Sequence, residues 1–183
     1  MSVLYSLRQD GMMAAGFEQR AEGSRLYFNT EGQAMITMEP LDDERRRLLP
    51  LLLLADEPES VVESYMDRGE LFAIRDGDAD IGALLLVRDG DAVEVKNLAV
   101  AEEHRGRGVG RSAIEFAAQW GREAGATRLV VGTADSSLRT MRFYLQSGFR
   151  TSGVRPGFFD AYPEEIWEDG MRARHMVMFE MPL

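Results

Sequence analysis

Three apolar runs lie between Leu71 and Val100, separated by short clusters of turn-forming residues. Leu71–Arg75 and Ile81–Arg88 flank the triplet Asp76-Gly77-Asp78, which predicts two strands joined by a tight turn, and Val93–Val100 follows as a third neighbour. Beyond Val100 the period lengthens. Val109, Ala113, Phe116, Ala117, Trp120 and Ala124 recur at helical spacing, so a long amphipathic helix is expected to lay one apolar stripe on a sheet. The run Arg128-Leu129-Val130-Val131-Gly132 then reads as a buried strand, which completes a strand–helix–strand crossover.

The remaining elements follow from local signals. A helix is predicted to begin near Asp42-Asp43-Glu44, whose acids suit a helix N-terminus, and another to run from Pro58 to about Arg68, with Gly69 as its stop. Leu48–Leu54 contains six leucines interrupted by Pro50 and reads as a buried helix, far shorter than the ~20 apolar residues that cross a bilayer. Ser136 or Ser137 is placed to cap a helix that ends at Ser147-Gly148, and Phe149 opens another strand. Residues 157–170 read as a loop, and the alternation of Ala173, His175, Val177, Phe179 and Met181 marks a final strand. Residues 1–34 differ: glycines at 11, 16, 23 and 32, scattered charges and no sustained period leave three readings open, namely an accessory strand or hairpin, a dispensable arm, or sequence from an upstream start.

Composition narrows the function. With 183 residues and 45% hydrophobic content the chain can bury one sizeable core, so a single domain is expected. The absence of cysteine excludes disulfides, thiolate metal sites and a cysteine nucleophile, and makes a cytoplasmic location the simplest reading. Only His104 and His175 supply imidazoles, so no metal centre is expected. A net charge of −10 argues against nucleic-acid and anionic-membrane partners and suits a cationic small molecule. Met1 to Ala15 has no long apolar stretch before a small-residue cleavage site, so no secretory signal is expected.

The sharpest chemical signal is Arg105-Gly106-Arg107-Gly108-Val109-Gly110, set between the third strand and the long helix. A glycine-rich turn there presents unpaired backbone N–H groups and the positive end of a helix dipole, with Arg105, Arg107 and Arg111 around the rim. Such turns also occur because a tight bend needs positive φ. The Lys-Ser/Thr pair of a triphosphate loop is missing, and no acidic ribose partner is evident, which argues against ATP and NAD.

Taken together, the strand Glu94-Val95-Lys96-Asn97-Leu98-Ala99-Val100, the Arg-x-x-Gly-x-Gly turn and the later Tyr144-Leu145-Gln146-Ser147-Gly148-Phe149 resemble the acyl-coenzyme A core of the GCN5-related N-acetyltransferases, the GNAT superfamily. The resemblance covers roughly the chain from Met35 onward, with Met35–Pro40 as the first strand, and three ordered motifs are far more specific than one. It implies an α/β fold, a mixed central sheet flanked by helices, in a domain over residues 35–183 preceded by an extension over 1–34. It also implies acetyl-CoA as the acyl donor.

By the resemblance, main-chain groups of Leu98, Ala99 and Val100 pair with the pantetheine arm, and the amides of Gly106, Arg107, Gly108, Val109, Gly110 and Arg111 receive the pyrophosphate. Tyr144 implies the acid that protonates the leaving thiolate, and Ser137 stands where a polar pantetheine contact is common. An alkylammonium acceptor with a pKa near ~10 must first lose a proton, and Glu94 is the candidate base, acting through a water that Asn97 could orient. With no cysteine to carry the acetyl group, attack is direct.

Residues 157–170 combine five acids with Phe158, Phe159, Tyr162 and Trp167, and Asp160, Glu164 and Glu165 are candidates for holding an organic ammonium. With Gly132–Ser137 this stretch resembles a bacterial aminoglycoside-acetyltransferase-like subgroup; a solvated acidic loop with core-anchored aromatics is the alternative. The expected reaction is acetyl transfer to a primary amine of a cationic small molecule. A protein N-terminal or lysine acetyltransferase and a non-catalytic acyl-CoA-binding regulator are the rivals, and homodimers are common among similar proteins.

Overall fold

The computed structural model describes residues 3–4, 17–19, 25–28, 34–56, 58–168 and 170–183. They fall in two compact units: the first reaches to Leu85 and takes in Asn97–Phe116, and the second consists of Leu86–Lys96 and Ala117–Leu183.

In the first unit, β1 (Val3–Leu4), β2 (Phe17–Gln19), β3 (Arg25–Phe28), β4 (Ala34–Pro40) and β5 (Glu70–Asp76) form an antiparallel series, with Thr37 opposite Arg75 and Glu39 opposite Ala73. The predicted turn at Asp76-Gly77-Asp78 leads into β6 (Ala79–Asp89), its glycine at φ 59°. After β6, β7 (Ala92–Val100) completes the predicted trio. Burial alternates along β7, with Val93, Val95, Asn97 and Ala99 inside and Glu94, Lys96, Leu98 and Val100 only half-covered. That period of two is what a pleated strand with one packed face requires.

The leucine run departs from expectation. A 3-10 turn at Arg45–Leu48 leads into α1 (Leu49–Leu52), where Pro50 occupies the first helical turn and interrupts nothing, because its missing N–H would have had no intrahelical partner. Glu44, expected to open a helix as an acid in its first turn, instead takes a left-handed φ of 56° just outside it. Leu48 and Leu52 are fully buried, whereas Leu54 is exposed. Helix α2 (Glu59–Tyr65) is shorter than predicted and buries Val62 and Tyr65. Phe72 meets Phe116 edge to face with centroids 4.7 Å apart, tying β5 to the first half of α3 (Val109–Glu123).

In the second unit, β8 (Arg128–Ala134) pairs parallel with the start of β7, giving the expected crossover. It pairs antiparallel along its whole length with β12 (Met176–Pro182), which in turn holds β9 (Arg150–Arg155). Helix α4 (Leu138–Gln146) has Ser137 at its N-cap position, as expected, but no side-chain cap bond. Residues 157–170 are more ordered than a loop: a 3-10 turn at Phe158–Ala161 is followed by β10 (Trp167–Glu168), which pairs with β11 (Met171–Arg172). The last strand begins at Met176 and not at Ala173, because the N–H groups of Arg174 and His175 are taken by the Asp135 carboxylate at 2.9 and 3.2 Å. Among the described residues, no helix is long and apolar enough to cross a membrane.

Candidate active site

The candidate residues of the first unit gather at the end of β7. The β7–β8 ladder runs from Ala92 opposite Arg128 to Glu94 opposite Val130 and stops, although β7 continues to Val100. Main-chain groups of Leu98, Ala99 and Val100 therefore lie beyond the last ladder pair. On its other side the strand end is held, since the Ala101 N–H donates to the Ile81 carbonyl at 2.8 Å.

The chain then makes a short 3-10 turn, Glu102–His104, and enters the glycine-rich bend. Arg105 folds back and its Nε donates to the Val100 carbonyl at 2.8 Å, so part of its donor capacity braces the loop. Gly106 and Gly108 take φ of 74° and 85°, which no other residue adopts cheaply. A Cβ at either position would meet nothing within 4 Å, so backbone conformation, and not crowding, demands glycine. The Gly108 carbonyl accepts the Ser112 N–H at 3.0 Å, which makes Gly108 the N-cap of α3. The N–H groups of Val109 and Gly110 consequently have no acceptor within the helix, no acid stands in its first turn, and Arg107 and Arg111 are exposed beside it. The bend thus combines backbone donors with positive charge and no acid in the first turn of the helix.

Glu94 and Asn97 are both in place on β7 but on opposite pleats. Glu94 pairs with Lys96, Nζ to Oε1 at 3.5 Å, on the half-covered side. Asn97 is buried on the other, where its Nδ2 donates to the Leu52 carbonyl at 3.1 Å and to Tyr65 Oη at 2.9 Å. One water oriented by both side chains, as the sequence suggested, does not fit this alternation.

The second unit, to which Glu94 also belongs, holds the remaining candidates. Tyr144 is buried among Phe143, Phe149 and Phe179, with centroids 5.2, 5.5 and 6.0 Å away. Burial pushes its phenol well above the ordinary tyrosine range, so the group stays protonated at neutral pH. Ser137 directs its hydroxyl to the Glu168 carboxylate, which also accepts from Ser136 at 3.2 Å. Burial would raise the Asp135 carboxyl, but the two N–H donors from Arg174 and His175 and the charge of His175 outweigh it and hold the group below the usual range.

The acidic stretch is less free than its composition suggested. Arg172 pairs with Glu165 at 2.8 Å and with Asp160 at 3.8 Å, so two of the three carboxylates expected to meet a cation already face one. Glu164 is exposed. Phe158, Phe159 and Tyr162 pack on one another, with centroids 5.1 to 6.0 Å apart, while Trp167 is exposed and donates its Nε1 to Glu165 at 3.3 Å. Sequence reasoning missed Arg172, Glu168 and Tyr65. Their partners are distant along the chain, and no local period marks them.

Comparison with known proteins gives a consistent result. The sequence profile of the acetyltransferase (GNAT) family matches residues 37–149. The Bacillus subtilis N-acetyltransferase YvbK is 33% identical over 144 residues, covering 78% of this chain and 93% of that protein. A GNAT family acetyltransferase from Elizabethkingia anophelis, solved with acetyl-CoA bound, is 33% identical with a TM-score of 0.77, over 81% of this chain and 98% of that one. A Bacillus subtilis acetyltransferase solved in complex with CoA is 32% identical with a TM-score of 0.74, over the same 81% and 98%.

Proposed function

The chain belongs to the GNAT family of acetyltransferases and is an acetyl-CoA-dependent N-acetyltransferase, and on that premise we propose that it passes the acetyl group directly to the primary amine of a cationic small molecule. The observation that carries this reading is the bend after β7. Two left-handed glycines, open space beside them, helix-start amides with no acid among them and exposed arginines fit a pyrophosphate. Gly106 to Arg111 would hold that group, and main-chain atoms of Leu98, Ala99 and Val100, beyond the last β7–β8 ladder pair, would align the pantetheine arm.

The cosubstrate supplies an activated acyl group, and the chain's own residues manage protons. Glu94 accepts the proton that the acceptor ammonium must lose before its nitrogen can attack, through water on the half-covered pleat that Lys96 shares. Tyr144 donates a proton to the departing sulfur; its burial among three aromatic rings keeps the phenol neutral until that charge develops. Ser137 contributes a pantetheine contact when its hydroxyl turns from Glu168. The catalytic domain spans residues 35–183, with 1–34 as an extension, and a cysteine-free chain that draws on acetyl-CoA suits the cytoplasm.

The net charge of −10 favours a cationic acceptor by attraction over a distance of about a Debye length. Coenzyme A release, measured with a polyamine, an aminoglycoside and a peptide bearing a free N-terminus, tests the proposal. Turnover is expected on one of the first two. Preference for the peptide would replace the acceptor class, and acetyl-CoA binding without turnover on any amine would make the protein a regulator.

A further inference from the structure

Asn97 is 5% exposed, and both ends of its amide can be assigned from its partners. The Leu52 carbonyl only accepts, so the group facing it at 3.1 Å is the NH2. Tyr65 Oη donates its hydrogen bond to an Asp56 carboxylate oxygen at 3.0 Å, which leaves the Tyr65 oxygen to accept from the second Asn97 N–H at 2.9 Å. Asp56 thus sets the direction of Tyr65, and Tyr65 sets the direction of the amide. The Asn97 carbonyl oxygen is left buried with no hydrogen-bond partner among the described residues. A buried acceptor in that condition costs about 1–3 kcal/mol unless a donor reaches it.

We infer that this carbonyl oxygen is the acceptor that positions an N–H of the incoming amine, an assignment that rests on the amine-acetylating function proposed above. Asn97 is a positioning residue, and Tyr65 and Asp56 act through it. The pantetheine amides are the competing source of N–H donors, but geometry separates the two. Main-chain pairing along a strand edge lies in the plane of the sheet, whereas the Asn97 side chain stands off its face toward Leu52 and Tyr65. A donor that meets it arrives from the face opposite Glu94, so the ammonium proton reaches Glu94 by a relay of waters past the strand edge and not by a single water held between the two side chains. The oxygen is buried, so a donor reaches it only when the residues around it shift, and the unmade hydrogen bond lowers the cost of that shift.

Tyr65→Phe tests this with little risk to folding, since it removes one oxygen and frees the amide to turn; Asn97→Ala removes the carbonyl itself. Steady-state kinetics would use whichever amine of the panel above turns over fastest, with amine and acetyl-CoA varied in turn and thermal midpoints recorded. In both variants KM for the amine rises about threefold to tenfold, the worth of one hydrogen bond, while KM for acetyl-CoA stays within about twofold. A rise confined to the acetyl-CoA KM would give the carbonyl to the pantetheine, and unchanged KM values in a folded Tyr65→Phe protein would reduce the network to a structural one; either overturns the inference alone. Absence of turnover on every amine by the wild-type protein would instead remove the amine-acetylating function, and the inference with it.

Discussion

The Gly82 Cα faces the Ala99 carbonyl so closely that a Cβ on Gly82 would stand 2.5 Å from the Ala99 oxygen, with Ile74 Cδ1 at 3.2 Å behind it. The obstacle is mainly backbone, which cannot rotate away. Gly82 therefore sets how near β6 approaches the strand end that carries Leu98–Val100.

Gly82→Ala should force Ala99 outward and cost about 1–3 kcal/mol, as overpacking does elsewhere. Denaturant melts would read the loss. Because the displaced segment is the proposed pantetheine rail, acetyl-CoA affinity should also fall, while a distant surface variant of equal stability should bind normally. A Gly82→Ala protein as stable as wild type would show that the strands part at no cost.

At the bend, strain and charge can be separated. A side chain at Gly108 meets open space but must adopt φ of 85°, so Gly108→Ala should lose about 1–2 kcal/mol of stability and modest affinity. Gly108→Glu carries the same strain plus a carboxylate at the start of α3, opposed to a pyrophosphate. Calorimetry should find acetyl-CoA affinity at least about tenfold weaker in the glutamate variant than in the alanine one. Equal affinities would mean that no phosphate sits at this helix start.

The acidic stretch yields a third expectation. Since Arg172 already pairs with Glu165 and Asp160, Asp160→Asn should hardly change the KM for a cationic amine. Arg172→Ala should release both carboxylates and lower that KM by about twofold to fivefold, the scale of a partly exposed charge pair. The opposite result, a loss of affinity on removing Arg172, would point to an acceptor that brings a carboxylate of its own.

What could be read from the sequence follows from how local each cause is. The β5–β7 trio and α3 are written in short-range alternation and a helical stripe, and the bend in glycines whose φ no other residue adopts cheaply. The β10–β11 hairpin escaped because its strands are two residues each, too short for a period. Asn97 was picked out as functional, but its orientation was beyond reach, since its partners lie 45 and 32 positions away in the chain. Likewise the acids of 157–170 are visible as composition, whereas the pairing of Asp160 and Glu165 with Arg172 is a tertiary fact.

Tyr144 joins the catalytic and the thermodynamic expectations. Its phenol is held protonated by burial among Phe143, Phe149 and Phe179, with a pKa raised above that of an exposed tyrosine. Tyr144→Phe removes the proposed acid while keeping the ring, so kcat should fall by about a hundredfold with acetyl-CoA affinity nearly intact. The raised pKa also fixes the sign of a stability effect. Below about pH 10 the phenol is protonated in folded and unfolded chains alike and the shift contributes fully. Above that, the unfolded chain ionises while the folded one does not, so wild type should lose stability relative to Tyr144→Phe by about 1.4 kcal/mol per pH unit until the folded group also titrates. Paired melts of the two proteins between neutral pH and about pH 11 measure the difference directly. Parallel stability curves would place Tyr144 in contact with water and take away the reason for assigning it a proton held in reserve, whereas diverging curves with unchanged kcat would leave it a packing residue.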